Sequence, residues 1–227
     1  MKIKAVLNRD GGTFRTTEMD AYADKARAVF AEAGDQLDVA VVDGKDMPSE
    51  LQRAADDDRY EALIAGGGDG TISTAAGIAW TSQKPLGVIP AGTMNLFARS
   101  LKLPLDIWAV LPVLAAGDVR AADIGSANGT AFVHQFSAGM HARLVRMRDA
   151  LPYRSRAGKI AANIRASLGV VMNPPVFEVE FDVDGHQEHR RISAISVSNN
   201  PFGQNGLMFS EDLTSGHLGF YIAEPLR

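Results

Sequence analysis

The chain has 227 residues, no cysteine, a net charge of −4 and 46% hydrophobic residues. That composition excludes disulfides, thiolate metal sites and a cysteine nucleophile, and the acidic balance leaves no footprint for nucleic acid. No apolar run reaches the length of a membrane span and no signal peptide is visible before Asn8, so the expectation is a cytoplasmic protein of one large or two small domains.

Lys2 to Leu7 predicts a first strand, ending in Asn8-Arg9-Asp10-Gly11-Gly12-Thr13. A small-residue loop at a strand end is where open α/β sheets place ligands, and it is equally what an ordinary turn looks like. Met19, Tyr22, Ala26, Val29 and Phe30 fall on one face of a helix closed by Gly34. Leu37 to Val42 predicts a second strand, and Pro48 suits the first turn of a helix running to about Asp58.

The stretch Glu61 to Ala76 carries the strongest signal. Ala62 to Ala65 is a short apolar run of the buried-strand kind, followed by Gly66, Gly67, Gly68, Asp69, Gly70 and Thr71. Ile72, Ala75, Ala76 and Ala79 then recur at helical spacing. Strand, glycine turn and helix N-terminus in that order suit a phosphate: glycines let backbone N–H groups approach an anion, and the helix adds its unpaired amides. Gly68 is expected at a positive φ, where a β-branched residue would not go. A carboxylate in such a cradle would repel phosphate unless a divalent cation bridged them, which points to Asp69 as a Mg²⁺ ligand. The competing reading is a tight turn with Asp69 as a helix cap. No Gly-Lys-Ser/Thr follows, so this is no Walker loop, and Thr71 stands where a dinucleotide fingerprint needs its third glycine.

Pro85 to Pro90 predicts a fourth buried strand, running into Ala91-Gly92-Thr93-Met94-Asn95 and a second helix start. Thr93 offers a hydroxyl to phosphate, and Asn95 can cap the helix or orient a neighbour. Leu105 to Ala116 predicts a helix, with Pro112 as a blemish, ended by Gly117-Asp118. The alternation implies an α/β nucleotide-binding domain, 1–118, with an open parallel sheet and helices on both faces.

Beyond 118 the character changes. Val119 to Ser126 and Thr130 to Ser137, joined by Asn128-Gly129, predict a hairpin with Asp123 in its first strand. Val176 to Val183 and Arg190 to Ser198 flank Asp184-Gly185, and Leu218 to Ile222 suggests a last strand. Residues 119–227 therefore read as an antiparallel β-rich domain. Between the hairpins, 141–165 is a basic island containing Arg143, Arg146 and Arg148, either a solvated helix face or a surface for anionic lipid headgroups. The five histidines form no metal-ligand spacing, and His186 and His189 read as exposed.

Gly67-Gly68-Asp69-Gly70-Thr71 and Pro90-Ala91-Gly92-Thr93-Met94-Asn95 resemble the GGDGT and P-x-G-T-x-N motifs of the diacylglycerol kinase catalytic domain family, which includes bacterial lipid kinases and sphingosine kinases. The resemblance is strong over 1–104 and loose beyond. It implies a first domain like those of NAD kinases and phosphofructokinases, a β-sandwich second domain, and ATP-dependent phosphorylation of a lipid hydroxyl with Mg²⁺. It implies ATP-binding roles for Asn8, Gly66, Gly67, Gly68, Asp69, Gly70, Thr71, Thr93 and Asn95, metal binding by Asp69, and polar support from Asp123. The implied partners are a lipid at a membrane surface, met peripherally at its inner face, and a second copy in a homodimer.

The chain departs from the family pattern at Arg9, Val42, Leu96 and Ser215, where proline, threonine, aspartate and aspartate are usual. The family's later L-D-G-E segment, which supplies the general base, does not occur, so the catalytic residue is unassigned and the second domain is expected to be incomplete: a piece, an incomplete gene or a degenerate relative. Two alternatives follow. A nucleotide-binding module without catalysis would fit Ser215 and the missing base. An NAD kinase would need an Asn-Glu pair, and the chain has none.

Overall fold

The computed structural model describes residues 1–139, 175–203 and 209–225. The basic island at 141–165 lies outside the described residues. The chain divides into two compact units, Met1–His134 with Asn199–Leu218, and Gln135–Ser198 with Gly219–Arg227. Residues 119–134 and a later return segment thus lie with the N-terminal sheet, past the change of character at 118.

In the first unit, β1 (Lys2–Asn8), β2 (Gln36–Val42), β3 (Ala62–Gly67) and β4 (Leu86–Pro90) form a parallel sheet in the order β2-β1-β3-β4. All six residues of β3 are buried, which is why its sequence is a continuous apolar run rather than an alternation. Alternate residues feed two cores. Ile3, Leu7, Ile64 and Ile89 pack with Tyr22, Ala26 and Phe30 of α1 (Met19–Glu32). Val6, Ala65 and Val88 pack with Leu51 of α2 (Met47–Asp56) and Ile72, Ala75 and Ala76 of α3 (Asp69–Ser82). Helices therefore cover both faces, and the sheet's carboxyl end is left to loops. Gly34 closes α1 at φ 86, and Pro48 lies in the first turn of α2.

After β4 comes the short α4 (Leu96–Ser100), and then α5 (Val110–Ala115), shorter than the helix the sequence predicts from Leu105. Asp106 caps its start: the carboxylate accepts the N–H groups of Trp108 and Ala109 at 2.9 and 2.8 Å, and its carbonyl accepts the Val110 N–H at 3.1 Å. The first hairpin is also shorter: β5 (Gly125–Ala127) and β6 (Thr130–Phe132) turn through Asn128 at φ 51 and Gly129 at φ 77. Asp123 precedes β5 rather than lying in a strand.

In the second unit, β7 (Gln135–Gly139) is a separate strand, and β8 (Phe177–Val183) and β9 (His186–Ile192) form a hairpin through Asp184 and Gly185. The predicted strand Arg190 to Ser198 is two strands. It breaks at Ser193, and β10 (Ala194–Ser198) joins β7 and β11 (Gly219–Ala223) in an antiparallel sheet, order β11-β10-β7. The molecule is thus a parallel four-stranded sheet with helices followed by antiparallel sheets, as the sequence predicts. His186 and His189 are exposed, as expected.

Candidate phosphate-binding site

The turn at the centre of the sequence is tighter than its glycine count suggests. Gly66 and Gly67 belong to β3, Asp69 and Gly70 to α3, and Gly68 alone joins strand to helix. Gly68 has φ −87 and ψ 179, extended backbone open to any residue, which corrects the positive φ expected for it. What the glycines supply is closeness. A Cβ on Gly66 would stand 2.7 Å from Leu7, and one on Gly67 would stand 2.7 Å from the Thr71 side chain. A Cβ on Gly92 would stand 2.6 Å from the Cα of Gly68, so the two loops touch backbone to backbone.

The first α-helical bond of α3 runs from the Ile72 N–H to the Gly68 carbonyl at 3.0 Å. The amides of Asp69, Gly70 and Thr71 therefore have no acceptor inside the helix and lie at its positive end. Around them come the other strand ends. Asn8 donates from Nδ2 to Thr71 Oγ1 at 3.2 Å, and the Asp10 amide donates to Asn8 Oδ1 at 2.9 Å. Thr13 donates to the Ala91 carbonyl, and the Ala91 amide to the Gly67 carbonyl, both at 2.9 Å. The side chain of Thr93 is exposed. Asn8, Gly66 to Thr71, Thr93 and Asn95 are thus carried by the carboxyl ends of β1, β3 and β4, which are adjacent in the sheet.

Neither Asn95 nor Asp69 caps its own helix, and each turns to nearby loop backbone instead. Asn95, at φ 51, makes no cap to its own helix; it accepts the Gly92 N–H at 2.8 Å and donates to the Gly92 carbonyl at 3.0 Å, closing the second loop on itself. Asp69 does not cap α3. Its Oδ2 accepts the Asn95 amide at 3.0 Å and its Oδ1 the Leu96 amide at 2.6 Å, so the carboxylate caps α4 across the gap between the loops. Arg99, which sequence reasoning passed over, donates from Nε to the Met94 carbonyl at 2.8 Å and props the same loop.

Both Asp69 oxygens already accept an N–H, and among the described residues no group of three or more His, Cys, Asp or Glu is gathered to hold an ion without phosphate oxygens.

Asp123 joins a different cluster in the same unit. Its Oδ2 accepts Asn200 Nδ2 and the Gly216 amide, each at 2.7 Å, and its carbonyl accepts Asn199 Nδ2 at 2.6 Å. Asn200 also donates to Ser215 Oγ at 3.1 Å. Asn199 and Asn200 are buried, and no motif in the sequence singles them out. Nearby in the segment, the N–H and hydroxyl of Thr214 hold the Asp212 carboxyl below the usual carboxylate range.

The family model for the diacylglycerol kinase catalytic domain matches residues 2–127. A diacylglycerol kinase of Staphylococcus saprophyticus is 31% identical over 185 residues, 79% of this chain and 59% of that protein. One from Staphylococcus epidermidis is 32% identical over 185 residues, 79% of this chain and 57% of its own length. The chain therefore spans less than two thirds of the curated relatives it matches. Among solved structures, a diacylglycerol kinase of Bacillus anthracis str. Sterne superposes with a TM-score of 0.72 at 19% identity, over 98% of this chain and 73% of that one. A putative diacylglycerol kinase of the same strain gives 0.74 at 20% identity, over 98% and 75%. At that identity the likeness speaks for the fold.

Proposed function

Because the chain belongs to the diacylglycerol kinase catalytic domain family, we propose that it is the nucleotide-binding part of an ATP-dependent lipid kinase, which passes the γ-phosphoryl group to a lipid hydroxyl. The observation that carries the reading is the joined pair of loops, Gly66–Thr71 and Pro90–Asn95, within the residues matched to the family. The amides of Gly70 and Thr71 at the start of α3, and the exposed hydroxyl of Thr93, are the groups that would hold phosphate oxygens. Asn8 would steady Thr71 from the neighbouring strand end. In phosphoryl transfer most of the rate comes from positioning and charge stabilisation, and a rigid cradle of backbone donors supplies both.

Mg²⁺ would accompany the nucleotide and neutralise phosphate charge. The acceptor is proposed as a lipid at a membrane surface. No helix among the described residues is long and apolar enough to cross a membrane.

A second reading, a nucleotide-binding module without catalysis, is favoured by one observation. Ser215, where the family usually has an aspartate, makes a neutral hydrogen bond to Asn200. The test is incubation with labelled ATP and Mg²⁺ against diacylglycerol, sphingoid base, phosphatidylglycerol and NAD. The expected result is a labelled lipid. Labelled NAD with no labelled lipid would overturn the lipid-kinase reading, and ATP binding without any transfer would support the module.

A further inference from the structure

A carboxylate set among phosphate-binding amides needs an account of what it does there. Asp69 begins α3, yet its two oxygens are turned to the other loop, one to the Asn95 amide and one to the Leu96 amide. Neither amide has an acceptor inside α4, where the first donor back along the chain is Arg99 to the Asn95 carbonyl. Asp69 is thus the partner those two donors have. Behind them the backbones of Gly68 and Gly92 are in contact. A cation on the same oxygens would share each of them with an N–H donor. At the position after Asn95, where the resemblance leads one to look for a second carboxylate, stands Leu96.

We propose that Asp69 is a positioning residue: its carboxylate clamps the second loop to the first through the Asn95 and Leu96 amides, and a divalent cation reaches the site only as part of the nucleotide. The proposal rests on the nucleotide reading of the cradle, but its core, the clamp, does not need nucleotide to be tested. The two roles predict opposite signs. As a metal ligand, Asp69 would help Mg–ATP and repel metal-free ATP, so its removal would weaken the first and strengthen the second. As a clamp, it shapes the phosphate site whether or not metal is present.

The experiment compares the parent, Asp69→Asn and Asp69→Ala. Hydrogen exchange without nucleotide is read over residues 94–98, and ATP binding is measured calorimetrically in Mg²⁺ and in EDTA. Asp69→Ala should expose the Asn95 and Leu96 amides to faster exchange and weaken ATP in both buffers. The loss should be about tenfold in Mg²⁺, the scale of losing charge-assisted hydrogen bonds, and less in EDTA, where the carboxylate's repulsion of bare phosphate goes with it. Asp69→Asn keeps one acceptor and should fall between. A Mn²⁺ titration followed by spin resonance should show no tight site on the protein alone. Unchanged exchange in Asp69→Ala would overturn the clamp. So would a loss confined to Mg²⁺, a gain in EDTA, or a tight Mn²⁺ site that Asp69→Ala abolishes. A parent that binds no nucleotide would sink the proposed function, with the exchange result still deciding the clamp.

Discussion

At the cradle, Gly66, Gly67 and Gly92 have no left-handed φ, but each is pressed by a neighbour within 2.7 Å of where a Cβ would stand. In the β8–β9 hairpin the situation is reversed. Gly185 has φ 82, and nothing lies within 4 Å of where its Cβ would be. One residue type thus answers two physical demands, close approach in a buried parallel sheet and a mirror-image backbone in an exposed turn. The demands differ in reach. A side chain at the cradle displaces a second loop, whereas one in the hairpin strains a single residue.

The comparison breaks most visibly at Gly92. Gly92→Ala puts a methyl 2.6 Å from the Cα of Gly68 and 2.8 Å from the Asn95 oxygen that accepts the Gly92 amide. Overpacking against backbone cannot be relieved by a rotamer change, so a stability loss of about 3 kcal/mol is expected, at the upper end for such substitutions. Chemical denaturation should show it as a lower midpoint, and ATP affinity should fall with it. A Gly92→Ala protein of parental stability would mean that the loops part freely and that closeness is not what the glycine serves.

How far the sequence discloses these arrangements depends on whether the cause is local. Ile72, Ala75, Ala76 and Ala79 announce the buried face of α3 because helical period is written along the chain. Tyr22, Ala26 and Phe30 do the same for α1. Asn128-Gly129 and Asp184-Gly185 mark turns correctly, because left-handed residues are a local requirement. Small residues after β1, β3 and β4, which are adjacent in the sheet, mark which loops meet at its carboxyl end. The partners are not marked. That Asp69 reaches Leu96 while Asn95 turns back to Gly92 follows from the contact of two loops, which no spacing encodes. The later start of α5 goes with a cap by Asp106, and the break at Ser193 comes from strands that part into different sheets. Val119 to Ser126 looks like strand, but only Gly125–Ala127 finds a β6 partner.

The Asp123 cluster sharpens the comparison, since it too holds separate parts of the chain together, here through hydrogen bonds rather than the close approach of two glycines. Asp123→Ala would strip Asn200 Nδ2 and the Gly216 amide of the oxygen they share, and Asn200 is 2% exposed. Asn200 keeps its bond to Ser215 and the Gly216 amide is exposed, so what is lost is two hydrogen bonds to a charged acceptor, about 2 kcal/mol. The midpoint of unfolding should drop by less than in Gly92→Ala, and protease sensitivity should rise around residues 199–216. An Asp123→Ala protein that loses no stability would show that water satisfies those donors and that the buried asparagines are not held by the carboxylate.

The smallest effect belongs to Gly185. The turn at Asp184 and Gly185 places both residues at positive φ, 53 and 82, and the Asp182 side chain accepts the Gly185 amide at 2.8 Å. Gly185→Ala meets no atom, so only the left-handed backbone is penalised, by about 1 kcal/mol. The strands it joins are exposed over most of their length, so part of that cost is relieved by local fraying of the hairpin. ATP affinity should equal that of the parent, because the substitution touches none of the groups that shape the cradle. Hydrogen exchange should quicken near residues 183–186 and nowhere along β3 or α3. Weakened ATP binding in Gly185→Ala would show that the exposed turn governs the cradle after all, and the division between close-approach and left-handed glycines would lose its functional meaning.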